Sequence, residues 1–209
     1  MTGLSLDDDA LIEVAALVTD GDLNVLGDGV DVIIRPPEAA LEQMVPFVRT
    51  MHTTSGLLPL LDGGMSMADA QARVLEYVKT YVAEPGKAPL AGNTVGTDRT
   101  FLARDMPELE GYLHYRNVDV SSIKELARRW FPRVYFHTPE KLGNHRALAD
   151  IAESIEELRY YRDALFVPQP GPTSDELKVI AATHQASLTS QFGVVPAHEP
   201  RLDPPGESR

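Results

Sequence analysis

Residues 11–37, LIEVAALVTDGDLNVLGDGVDVIIRPP, decide the fold class. The run at 11–19 carries apolar and β-branched side chains, with acids at 7–9 before it and DGDLN after it. That pattern reads as a buried strand. A second strand follows and ends at Pro36 and Pro37, which cannot donate to a ladder. The short TDGDLNV between them suits a hairpin.

Working outward, apolar residues at 67, 70, 74, 77, 78, 81 and 82 give a helical period. EPGKAPLAGNTV (84–95) reads as a strand emerging into a loop, and TDRTFLARDM (97–106) as a short helix. YRNVDV (115–120) is a short strand, and SSIKELARRWF (121–131) begins a helix with Ser122 and Glu125 spaced as a capping box. The clearest helix is 145–165, with Leu148, Ile151, Ile155 and Leu158 as its buried stripe. A weak helix near 174–188 precedes a Pro- and charge-rich tail that reads as disordered. A strand hairpin followed by alternating strands and helices makes a mixed α/β sheet flanked by helices.

At 209 residues the chain suits one domain with a sizeable core plus extensions. Its 43% hydrophobic and 24% charged content is that of a soluble globular protein. No apolar run reaches the roughly 18 residues a membrane span needs, and no secretory signal is expected. The absence of cysteine excludes disulfides and thiolate metal sites and makes the cytoplasm the expected compartment. A net charge of −12 argues against a protein that wraps long duplex nucleic acid. It leaves room for a very short oligonucleotide with few phosphates.

Asp98 stands three and four residues before Phe101 and Leu102, so its side chain is expected to share their core-side face. Asp150 lies at the edge of an apolar stripe, with His145 just before that helix. Two aspartates facing one cleft need a cation between them, and an oxygen-only set suits magnesium or manganese. His145 could deprotonate a polarised water near neutral pH. Taken singly, each of these acids reads more readily as a surface or capping residue. His52 reads as a packing residue or a substrate contact, and Phe47 as core. Arg116 with Ser121 and Ser122 at a helix N-terminus can bind a phosphate, or form a capped helix beside a surface arginine.

The segments 88–133, APLAGNTVGTDRTFLARDMPELEGYLHYRNVDVSSIKELARRWFPR, and 144–162, NHRALADIAESIEELRYYR, resemble the oligoribonuclease family. These are 3′→5′ exoribonucleases of the DEDDh class, with a ribonuclease H-like fold. The similarity runs over 1–172 as the exonuclease domain and leaves 173–209 as a C-terminal extension; FVPQPGP (166–172) resembles actinobacterial members. The resemblance implies metal ligands Asp98 and Asp150, general base His145 and active-site tyrosine Tyr115. It implies that Arg116, Ser121, Ser122 and Thr94 cap a 5′-phosphate, Arg116 and the two serines from the partner subunit of a homodimer. Leu4 and Phe47 would hold the bases and His52 would line the same pocket. The implied substrates are dinucleotides and similarly short RNAs, including linear products of cyclic-di-GMP, cleaved with two divalent ions, Mg2+ or Mn2+. A DNA-proofreading exonuclease of the same superfamily and a non-catalytic dimer that binds short oligonucleotides are the competing readings.

One family feature has no counterpart in this sequence. In the family an Asp-x-Glu pair ends a central strand immediately before the residues matching MTGL. MTGLSLDDD (1–9) therefore reads as the exit from a strand, and an in-frame Asp-x-Glu is expected directly ahead of Met1. Asp7, Asp8 and Asp9 sit in the connecting loop and Glu13 in the next strand, so none is expected to replace that pair.

Overall fold

The computed structural model describes residues 1–140 and 146–194. Two compact units are present, Met1–Phe166 and Val167–Arg209. The first opens with the expected hairpin, β1 (Glu13–Thr19) paired antiparallel to β2 (Val25–Ile33), from Glu13 opposite Ile33 to Thr19 opposite Val25. The register shifts between Ala16 and Val18. There Gly27 and Gly29 take φ of +73° and +83°, which glycine adopts without a Cβ clash.

Two short helices follow, α1 (Glu38–Glu42) and α2 (Pro46–Thr54), and then α3 (Met67–Tyr81). Ser66 caps α3 by accepting the Asp69 N–H. The strand β3 (Pro89–Gly92), helices α4 (Val95–Asp105) and α5 (Pro107–Tyr112), and strand β4 (His114–Asp119) form a crossover unit, with β3 and β4 parallel. Beyond it come α6 (Val120–Trp130), α7 (Pro132–Tyr135) and α8 (Ala147–Leu165). In the second unit, α9 (Ser174–Phe192) starts at a capping box in which Thr173 and Glu176 bond each other's backbone N–H. No described helix is long and apolar enough to cross a membrane.

The main core sits between the hairpin and α3 to α5, where Leu11, Val32, Ile34, Val74, Phe101 and Met106 are almost wholly buried. A second cluster joins α6 and α8 through Val120, Ala127 and Tyr161. The α/β class and the order of elements follow the sequence pattern, but three local expectations are corrected.

Among the described residues the strands form two pairs, β1 with β2 and β3 with β4. Every residue of β1 is consequently half-buried, because only one of its edges is paired. The cap of α6 is Asp119, whose carboxylate accepts the Ser121 N–H at 2.9 Å, and not Ser122. The deepest residues of α8 are Ser154, Glu157 and Tyr161, while Leu148, Ile151, Ile155 and Leu158 are half-buried. Polar partners reach the first face, whereas Ile151 and Leu158 line an open groove.

One buried acid ties the hairpin to α8. Glu13 accepts from Arg146 Nε at 2.7 Å and from the Ala147 N–H at 3.1 Å, so a strand residue caps a helix that otherwise lacks a side-chain cap. Arg146 also stands 3.6 Å from Asp31 on β2. Glu13→Ala removes a charge-assisted bond and a cap together. Because Arg146 is about a third exposed and keeps Asp31, the expected loss is about 1–2 kcal/mol, read as a lower urea midpoint at unchanged slope.

Candidate active site

Asp98 lies in the first turn of α4 and is half-buried, as its spacing from Phe101 and Leu102 indicates. Burial pushes its carboxyl above the ordinary range, against the pull of its own backbone N–H and the Met1 amine. The same burial lowers the Met1 ammonium below an ordinary amine, although Glu13, Asp98 and Asp9 all favour its charge.

Asp150 departs from expectation. It shares the α8 face of Ser154, Glu157 and Tyr161, at spacings of four, seven and eleven. In the first turn, however, it lies beyond the elements that cover that face and is exposed. Ser154 Oγ donates to its main-chain carbonyl at 2.8 Å. Of the other acids nearby, Glu13 is engaged by Arg146, and Asp9 accepts from Thr2 Oγ1 and the Ser5 N–H. Among the described residues, no group of three or more His, Asp or Glu is arranged to hold a metal ion. These side chains alone do not fit a two-metal centre, which needs several convergent anionic ligands. His145 lies outside the described residues.

The phosphate-cap candidates are better assembled. Thr94 precedes α4 with φ of 54°, a left-handed conformation rare for a β-branched residue, at a strain of about 1–3 kcal/mol. Two bonds hold it there: its N–H donates to Asp119 Oδ1 at 3.1 Å, and its hydroxyl meets Ser121 Oγ at 3.1 Å. Ser121 Oγ also donates to Asn93 Oδ1, while Asn93 Nδ2 donates to Ser154 Oγ at 2.9 Å and Glu157 Oε2 at 3.1 Å. Lys124 completes the set at 3.0 Å from Glu157, which is only 5% exposed. Ser122 is exposed on the first turn of α6 and does not take part.

On β4, Tyr115 is 73% exposed and stacks on His114 with ring centroids 4.5 Å apart. The Arg116 guanidinium stands over the Tyr115 ring at 5.3 Å. Arg99 anchors this strand by donating to Glu110, to the His114 carbonyl and to Asn117 Oδ1. Leu4 and Phe47 are 77% and 79% exposed, so Phe47 is not core. Leu4 lines a shallow recess of about 390 Å3 with Thr2, Asp9, Gln43, Val45 and Val48. His52 is buried on α2, with Nε2 2.9 Å from the Met1 carbonyl, which fits a packing role.

A family model described as Exonuclease (RNase_T) matches residues 1–158. The oligoribonuclease of Streptomyces coelicolor is 73% identical over 187 residues, covering 90% of this chain and 94% of that protein. The oligoribonuclease of Cutibacterium acnes is 68% identical over 189 residues, 90% of this chain and 94% of that protein. That of Mycobacterium tuberculosis is 57% identical over 183 residues, 87% of this chain and 85% of that protein.

The chain belongs to the oligoribonuclease family. It is a hydrolase of the exoribonuclease class with an exonuclease domain of ribonuclease H-like type. In this oligoribonuclease chain the supporting residues Asn93, Asp119, Lys124, Ser154 and Glu157 escaped the sequence reading. Only Asn93, in a Gly-Asn turn beside Thr94, carried a local signal. Glu157, on a charged helix, carried none.

The Asp98 shift has a testable sign. A carboxyl raised by burial favours the fold while protonated, below the unfolded value of about 3.9, and disfavours it as pH rises through the raised folded value. Asp98→Asn should therefore stabilise the chain at pH 7, in buffer with a chelator, and the gain should vanish at pH 4. Urea titrations at the two pH values measure it; a loss at pH 7 would mean a favourable partner holds the carboxylate.

Proposed function

We propose that this chain, with an Asp-x-Glu pair completing its metal ligands, degrades very short RNAs, dinucleotides above all, from the 3′ end to nucleoside monophosphates. Linear dinucleotides derived from cyclic-di-GMP fall within that class. The Thr94–Ser121 contact at the start of α6 carries the reading, because two hydroxyls and a helix N-terminus converge where a terminal phosphate can be gripped. A site closed at the 5′-phosphate measures length. Arg116 and Ser122 supply further donors, and Tyr115 bears on the reacting end. Leu4 and Phe47 line the base-binding side, their exposure leaving room for bases to stack, with His52 buried behind them.

His145 takes a proton from the attacking water, whose oxygen bonds to phosphorus as the bond to the 3′-oxygen of the preceding nucleotide breaks; that oxygen leaves as a hydroxyl with a proton from solvent. The cofactor is a divalent ion, Mg2+ or Mn2+, in a two-ion site. Asp98 and Asp150 would supply part of its ligand set, and the remainder would come from an Asp-x-Glu pair of the kind the family carries. The working form is a cytoplasmic homodimer in which Arg116, Ser121 and Ser122 serve the partner's site. Exposed Leu126, Trp130, Phe131 and Phe136 on and after α6 and α7 support a subunit contact there. Residues 1–172 act as the exonuclease domain and 173–209 as an extension.

Two outcomes follow. The 209 residues alone, incubated with a 5′-phosphorylated dinucleotide and Mn2+, should release almost no mononucleotide, whereas the same chain joined at Met1 to a segment ending Asp-x-Glu should release it. Robust turnover by the shorter chain would overturn the ligand assignment. In the joined chain, Arg116→Ala should raise KM for the 5′-phosphorylated dinucleotide on the order of tenfold to a hundredfold, the value of a charge-assisted bond. It should leave KM for the 5′-hydroxyl dinucleotide nearly unchanged.

A further inference from the structure

The parallel strands β3 and β4 do not run in step. One residue along β3, from Pro89 to Leu90, spans three along β4, from His114 to Asn117. Tyr115 and Arg116 therefore stand opposite no residue of β3 and form a bulge. Beyond it the register is regular, with Ala91 opposite Val118 and Gly92 opposite Asp119.

The side chains show the same break. In a regular strand successive side chains point to opposite faces and do not touch. Here two consecutive pairs meet. The His114 and Tyr115 rings stack with centroids 4.5 Å apart and 27° between their planes. The Arg116 guanidinium lies 5.3 Å from the centre of the Tyr115 ring. The bulge thus sets two exposed side chains, a phenol and a guanidinium, next to each other.

A bulge gives up ladder hydrogen bonds, so its backbone groups need other partners. At its start the His114 N–H donates to the Ala88 carbonyl at 2.8 Å. Arg99 of α4 donates through Nη1 to the His114 carbonyl at 2.9 Å and to Asn117 Oδ1 at 2.7 Å. Glu110 of α5 holds that guanidinium, accepting from Nε at 2.9 Å and from Nη2 at 2.8 Å. Arginine has no acceptor to offer, so the Arg116 N–H must be met by another group. His114 meets it: the Arg116 N–H donates to His114 Nδ1 at 3.0 Å. The accepting nitrogen carries no proton, which places the ring proton on Nε2. A side chain that bonds the backbone N–H two residues on is ordinarily Asn or Asp. The imidazole does the same and adds a flat face for Tyr115.

We propose that His114 is a positioning residue for the 5′-phosphate cap. Its Nδ1 fixes the Arg116 backbone and its ring fixes Tyr115, so one side chain sets how the guanidinium and the phenol are presented together. The proposal rests on the reading of Arg116 as a phosphate ligand and gives His114 no contact with substrate. Loss of the acceptor should leave the fold intact, because Arg116 is exposed and water can take its N–H.

The test reads the hydrogen bond and the ligand preference separately, on the 209-residue chain. Nitrogen NMR should show a scalar coupling across the hydrogen bond between the Arg116 amide nitrogen and His114 Nδ1; its absence overturns the brace. Equilibrium binding in the presence of a chelator compares a 5′-phosphorylated dinucleotide with its 5′-hydroxyl form. His114→Phe keeps a ring and loses the acceptor. It should cut the preference for the 5′-phosphate on the order of tenfold, with a urea midpoint close to the parent's. His114→Asn, whose Oδ1 can accept the same N–H, should recover most of that preference. Unchanged preference in His114→Phe, no recovery in His114→Asn, or equal weakening of both dinucleotides overturns the positioning role alone. A parent chain that shows the coupling but no preference for the 5′-phosphate overturns the cap reading and the positioning role together.

Discussion

The first unit depends on a single constraint: backbone N–H and C=O groups taken out of water need partners. The hairpin satisfies one edge of β1, and the crossover unit satisfies one edge of β3. What holds the two pairs at their separation is side-chain packing: α3 and α8 both pack on β1, and α6 and α8 both pack on β3. Glu13 and Arg146 reinforce this at one end, where a strand carboxylate doubles as the cap of α8. The two strand pairs are therefore held in place by the helices that pack across them.

The candidate site inherits its geometry from the same layout. Asn93 follows β3 directly, and its amide reaches Ser121 on α6 and both Ser154 and Glu157 on α8. The cap hydroxyls and the helix bearing Asp150 thus share one hydrogen-bonded support. Asp119 serves twice, as the cap of α6 and as the acceptor that holds Thr94 in its left-handed conformation. Strain of that kind persists only where neighbours over-determine it. Here two backbone donors converge on one carboxylate oxygen. A Glu or Asn in place of Asp119 would change the reach or the charge of that acceptor.

How far the sequence foretold this differs by level. The hairpin, α3, α4 and α8 were legible because their apolar periods are long enough to separate strand from helix. The short β3 was legible only as a turn-rich stretch with an apolar patch, and its parallel partner β4 could not be paired from local pattern at all. Asp98 was legible because a carboxylate three and four residues before two apolar side chains shares their face. Asp150 was misread: the apolar stripe of α8 covers a groove, while its buried face carries Ser154 and Glu157. No one-dimensional signal distinguishes a buried Glu157 paired with Lys124, 33 positions away in sequence, from a solvated one. The Ser122–Glu125 capping box failed for a simpler reason, since Asp119 lies nearer the true first turn and its carboxylate is the better acceptor.

The net charge of −12 bears on what such a site can bind. Affinity for long RNA grows with each phosphate neutralised, and this chain spends several of its cations internally. Arg99 is committed to Glu110 and the β4 backbone, Lys124 to Glu157, and Arg146 to Glu13. Arg116, exposed beside Tyr115, remains available at the edge of the cap. A pocket with so few phosphate contacts gains little from a longer chain of nucleotides, while an acidic surface repels the phosphates that would extend past it. In the proposed reading, a cap of Thr94, Ser121 and Arg116 supplies attraction at one end, and the acidic charge of the surrounding surface penalises RNA that extends past it.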